Sequence, residues 1–158
     1  MEGPGGSGSG ALRYAYRLLN YRDRSERELR ERLERKGYAA DEVDGVVEAL
    51  RAQGFVDDRR LAALLRRQAV EAKHLGRKGT AQFLLRRGIP PDLVSEVSGS
   101  DDDYLDSAVN LLRKKTRKAP RDLDEETEKR RLWGALSRRG FSSEMIRQAM
   151  KYLETKEE

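Results

Sequence analysis

One short phrase occurs three times in this 158-residue chain. It reads Leu33-Glu34-Arg35-Lys36-Gly37-Tyr38, then Leu84-Leu85-Arg86-Arg87-Gly88-Ile89, then Leu136-Ser137-Arg138-Arg139-Gly140-Phe141, with the glycines 51 and 52 residues apart. A fixed period of about 50 residues marks a repeat array, in which one supersecondary unit is copied and stacked. The agreement extends past the phrase. Four residues after each glycine stands an acid (Asp41, Asp92, Glu144), and six after it a β-branched residue (Val43, Val94, Ile146). An array that presents basic side chains at regular intervals suits a long, periodic, acidic partner better than a small molecule.

The local patterns are helical throughout. Leu12, Ala15, Tyr16 and Leu19 follow the i, i+3, i+4, i+7 spacing of an amphipathic helix over 11–21. Ser25-Glu26-Arg27-Glu28 reads as a capping box that starts a second helix at Glu26. Gly37 stops that helix, because glycine takes the left-handed conformation at no steric cost. Val43, Val46, Val47 and Leu50 stripe a third helix, which Gly54 closes. The second unit has Asp57 as N-cap, Leu61, Leu64, Leu65 and Ala69 as stripe to about Lys73, and Pro91 at the first position of its last helix. Gly76 and Gly79 should weaken its middle helix. The third unit opens on Asp101-Asp102-Asp103, crosses a polar linker at 117–126, and ends in a helix capped by Ser142. The expected fold is all-α: three tandem three-helix repeats in an elongated, curved array. The expected boundaries are a disordered Gly/Ser tail over 1–10 and repeats over 11–54, 55–100 and 101–158.

Composition fits thin helical layers: 39% of residues are charged and 37% apolar. No apolar run approaches the ~20 residues of a membrane span, and the N-terminus lacks an apolar signal core. The absence of cysteine excludes disulfides and thiolate metal sites and suits a reducing cytoplasm. The net charge of +5 hides a strong segregation. Arg59 to Gly88 carries nine Lys/Arg against the single acid Glu71, Ile89 to Asp103 is −5, and Tyr104 to Arg121 is +5.

The candidate binding residues follow from that pattern. Arg66, Arg67, Arg77, Lys78, Arg86 and Arg87 have almost no acid nearby in sequence, and Lys114 and Lys115 belong to the second basic run, 113–118. Phosphates would be their natural ligand, since each one neutralised releases a counterion. The bland reading is that cations in a last helical turn stabilise the helix by roughly 0.3–1 kcal/mol and do nothing else. The cations of 26–35 alternate with acids and read as a solvated face of i,i+4 pairs. Trp133 reads as core rather than as a base-stacking platform. His74, the single histidine, reads as a polar surface residue. Asp57-Asp58 and Asp101-Asp102-Asp103 read as helix caps rather than metal ligands. No catalytic set, cofactor or metal is expected.

The run Arg22-Asp23-Arg24-Ser25-Glu26-Arg27-Glu28-Leu29-Arg30, with Leu33-Glu34-Arg35-Lys36-Gly37-Tyr38 and Gly54-Phe55-Val56-Asp57-Asp58, resembles the RecX regulatory proteins over roughly residues 11–153. Ala81 departs from the larger apolar residue common in that family. The resemblance implies three tandem three-helix repeats in a curved array and a non-enzymatic regulator of recombination and the DNA-damage response. Its partner would be the RecA recombinase filament on single-stranded DNA, where most members reduce ATP hydrolysis and strand exchange. On that reading the chain acts as a monomer in the cytoplasm. The alternative is a helical-repeat DNA-binding module without recombinase contact.

Overall fold

A computed structural model describes residues 6–156. Among them nine α-helices follow in order: α1 (Gly6–Tyr21), α2 (Glu26–Lys36), α3 (Ala40–Ala52), α4 (Asp58–Arg67), α5 (Arg77–Arg86), α6 (Pro91–Ser98), α7 (Leu105–Arg117), α8 (Glu125–Arg138) and α9 (Ser143–Lys156). No strand occurs among the described residues, and no helix there is long and apolar enough to cross a membrane. Of the tail expected over 1–10, residues 1–5 lie outside the described residues, and the backbone from Gly6 belongs to α1.

Three apolar clusters correspond to the three repeats. Leu29, Leu33, Val43, Val47 and Leu50 centre the first, which also takes in Val56. Leu61, Leu65, Leu84, Ile89 and Val94 make the second, and Tyr104, Leu112, Leu136, Phe141 and Ile146 the third. The substantial helix–helix contacts fall within a repeat or between neighbours, the quasi-one-dimensional pattern of an array. Trp133 packs half-buried against the third cluster, with the Arg147 guanidinium 5.8 Å from its ring centre. Tyr104 is fully buried and donates its hydroxyl to the Ser98 carbonyl at 2.6 Å, which joins repeats two and three.

Most helix ends fall where the sequence signals put them; α8, however, begins at Glu125, inside the linker expected over 117–126, and α2 and α4 also differ. Gly37, Gly88 and Gly140 all have positive φ, at 104°, 85° and 83°, and the residue after each glycine donates its amide to the leucine four residues before that glycine. Ser25 caps α2 by accepting the Glu28 amide, but the Glu28 carboxylate does not return to close the box; it is held by arginines instead. α4 stops at Arg67 and continues as a π turn over Gln68–Ala72. The Ser107 hydroxyl, on α7, meets the Val70 and Leu75 carbonyls at 3.3 and 3.2 Å beside that turn.

The repeats join end to end through their middle helices. Gly88, beyond the C-terminus of α5, lies against Ser25, the N-cap of α2; a Cβ there would run into the Ser25 hydroxyl. Gly140, beyond α8, lies against the first turn of α5, and a Cβ on Gly79 would strike the Arg139 carbonyl oxygen. The Gly76 amide donates to that same carbonyl at 2.8 Å. Gly76 and Gly79 therefore do not merely weaken α5. They permit the backbone of the next repeat to approach.

Gly79→Ala should destabilise the protein by about 1–3 kcal/mol through overpacking. Gly45→Ala, in open space within α3, should instead stabilise it by about 0.5–1 kcal/mol. Urea midpoints of the two variants check both signs; equal shifts would remove the close approach as the reason for Gly79.

Candidate functional site

The candidate cations divide into two groups. Arg66 and Arg87 hold repeats together. Arg87 donates from Nε to Glu28 Oε1 at 3.0 Å and from Nη2 to the Asp23 carbonyl at 3.2 Å, reaching from repeat two into repeat one. Glu28 also accepts from Arg22 at 2.8 Å and lies 3.5 Å from Arg24. Burial by itself would raise the Glu28 carboxyl, but the hydrogen bonds from Arg22 and Arg87 outweigh it and hold the group below the usual carboxylate range. Arg66 lies 5.7 Å from the centre of the Tyr104 ring, tying repeat two to repeat three. Its Nε is shielded from solvent without a hydrogen-bond partner.

Arg67, Arg77, Lys78, Arg86 and Lys114 are exposed and have no carboxylate partner among the described residues. Lys115 is half-buried, and its carbonyl accepts from Arg131 at 3.0 Å. Two grooves flank the junction of repeats two and three. One, of about 580 Å³, has Arg77 and Lys78 on one side and Ser137, Gly140 and Ser142 on the other. The second, of about 430 Å³, is lined by His74, Asn110, Arg113, Lys114, Arg117 and Lys118. None of the four cations in the second groove pairs with an acid among the described residues. Segment 73–76 carries His74 into the second groove and leads to Arg77 in the first, and the Arg139 guanidinium donates to its Lys73 carbonyl. Arg77, Lys78 and Lys114, with Arg113, Arg117 and Lys118, thus gather at the junction of repeats two and three, a surface suited to phosphodiester or other polyanionic oxygens, while Arg67 and Arg86 line neither groove.

His74 is the site residue that the sequence reading missed. It has φ 50°, uncommon for a residue with a side chain, and its Nδ1 is shielded from solvent without a partner. Burial, then the positive charges of Lys114 and Arg139, push its imidazole below its ordinary value. Nothing in its sequence neighbourhood announces this, because Lys114 and Arg139 belong to the third repeat. Three of the acids accept amides at helix starts, Asp57 from Arg60, Asp58 from Glu26 and Asp103 from Ser100, while Asp101 instead accepts the Ser142 hydroxyl. Asp58 thereby caps α2 of the neighbouring repeat.

Two outcomes follow from these contacts. Arg87→Ala should cost about 1.5–3 kcal/mol, the range for hydrogen bonds to charged groups, because it leaves Glu28 partly buried and short of a donor. With Glu28→Ala in a double-mutant cycle, thermal unfolding should show the two losses to be strongly non-additive; simple additivity would refute the contact. For His74, the depressed folded value means that stability from this group is lost as pH falls below about 6.5, the unfolded value, since the unfolded chain then binds the proton first. A phosphate polyanion in the groove should reverse that bias and raise the His74 midpoint. As the single histidine it gives one unambiguous imidazole NMR signal, and an unmoved titration on adding oligonucleotide would place the anion elsewhere.

Comparison with known proteins agrees with the repeat architecture. Residues 11–57 match the family model described as RecX, first three-helix domain, and residues 101–150 match RecX, third three-helix domain. Regulatory protein RecX of Trichlorobacter lovleyi is 35% identical over 137 residues, covering 85% of this chain and 89% of that protein. Regulatory protein RecX of Pelodictyon phaeoclathratiforme is 30% identical, covering 91% and 89%. The crystal structure of RecX from Lactobacillus salivarius superimposes with a TM-score of 0.80 over 94% of this chain and 97% of that one, at 18% identity, and so speaks for the fold. With the domain models matched at both ends and relatives aligned along nearly its whole length, the chain belongs to the RecX family of regulatory proteins.

Proposed function

We propose that this chain binds the RecA filament on single-stranded DNA and lowers its ATP hydrolysis and strand exchange. Family membership over nearly the full length supports the partner. The observation that carries the reading on this chain is the gathering of unpaired cations at the repeat two–repeat three junction. An array of stacked repeats can span several protomers of a filament, and its exposed cations would face the filament's acidic surface or its DNA. Arg67, Arg77, Lys78, Arg86 and Lys114 carry this contact. Arg66 and Arg87 support it by fixing the angle between repeats.

The mechanism is differential binding. A ligand shifts a filament's state only by the difference in its affinity for the two states. Contact across protomers that prefers a filament closed to monomer addition would drain activity at low ratios of regulator to recombinase. The protein would act as a cytoplasmic monomer, with no chemistry of its own.

ATP hydrolysis by RecA preassembled on single-stranded DNA should fall as the protein is added, at well below one molecule per recombinase. The double change Arg77→Glu/Lys78→Glu should raise the concentration for half inhibition by about tenfold or more, the equivalent of some 1.4 kcal/mol. A rise in rate would keep the partner and reverse the sign. No effect on hydrolysis, together with steeply salt-dependent binding to bare DNA, would replace this reading by that of a DNA-binding module.

A further inference from the structure

The last repeat departs from the other two. α8 has 14 residues, against 11 in α2 and 10 in α5, and its extra turn is at the N-terminus. Together with the ends of α7 and α9, that turn walls a notch of about 250 Å³. Leu112, Leu132, Met150 and Leu153 form its apolar floor. Its rim is acidic: Glu125, Glu128 and Glu154 stand against the single cation Lys129.

The rim is short of one positive charge. Lys129 is engaged with Glu125 at 2.7 Å. Glu128 Oε1 is shielded from solvent and has no hydrogen-bond partner; the Arg131 guanidinium stands 3.7 Å away, beyond hydrogen-bond reach. A carboxylate oxygen withdrawn from water without a donor is costly, and an incoming cation relieves it. An apolar floor beneath a carboxylate rim matches a long basic side chain, whose methylene stem covers apolar surface while its head meets the acids. Phosphate is repelled here, in contrast to the cationic grooves.

We propose that this notch is a protein-docking pocket that takes a Lys or Arg side chain, set among apolar neighbours, from the surface of a partner protein. The proposal rests on the reading that the partner is the recombinase. The array then has two chemically opposed contacts: cationic grooves for polyanion and an acidic notch for protein.

The test measures binding of the full chain to the RecA filament, and separately to bare single-stranded oligonucleotide, by fluorescence anisotropy. Two variants are compared with wild type: Glu128→Gln/Glu154→Gln, which removes the rim's uncompensated charge, and Thr116→Trp, which fills the notch from its exposed wall without changing charge. Both should weaken filament binding about tenfold or more, the loss expected of a central anchor, while oligonucleotide binding stays within twofold. Circular dichroism confirms that each variant is folded. Unchanged filament binding by both folded variants overturns the pocket while leaving the proposed function standing. Parallel loss of oligonucleotide binding also overturns it. Wild-type protein that ignores the filament removes the underlying reading, and the pocket with it.

Discussion

The architecture depends on one contact made twice: the C-terminal end of a middle helix set on the N-terminal end of the middle helix before it. α8 meets α5 in this way, and α5 meets α2. The carbonyl end of one helix, partly negative, faces the amide end of the one before it, partly positive. The Gly76 amide on the Arg139 carbonyl and the Arg27 guanidinium on the Leu85 carbonyl satisfy groups that the ends of helices otherwise leave unpaired. Glycine is required at these ends for two reasons at once. It turns the backbone to positive φ, and it leaves no Cβ to hold the neighbouring repeat away.

The same contact sorts the chain's many arginines. The residue just before the glycine reaches back into the preceding repeat, Arg87 to Glu28 and Asp23, Arg139 to Lys73. The residue one earlier, Arg86 or Arg138, stays exposed. A basic pair that looks uniform along the sequence is therefore one structural cation and one solvent-facing cation. In the first repeat Lys36 lies over the ring of Tyr14 in its own repeat, and Gly37 has open space around it.

Much of this was legible in the residues. The apolar stripes, the three glycine stops and the cap residues Ser25, Asp57 and Ser142 are local signals, and local physics decides them. What escaped the sequence were relations between repeats. Gly79 looked like a weak point because its reason lies in Arg139, sixty positions away. The contacts of Arg66 and Arg87 with Tyr104 and Glu28 could not be read from their sequence neighbours. The completed capping box is at Ser100 and Asp103, where the acidic run concealed it, while the one expected at Ser25 lost its carboxylate to arginines. His74 acquired its cationic surroundings only when the third repeat docked.

The two junctions are built of different material. Between repeats two and three, backbone presses on backbone at Gly79 and Gly140, Val70 enters the third core, and Ser107 and Tyr104 add hydrogen bonds. Between repeats one and two, Val56 enters the first core and Gly88 lies on Ser25, and polar side chains carry the rest: Arg87 with Glu28, Arg27 with Leu85, and Asp58 with the Glu26 amide. Close-packed backbone resists bending, whereas long ionic side chains can lengthen, re-pair or let water in between them. The first junction, richer in ionic side chains, should therefore yield more readily than the second, where backbone meets backbone. On the proposed filament, repeats two and three would then set the register and repeat one would take up the mismatch in pitch.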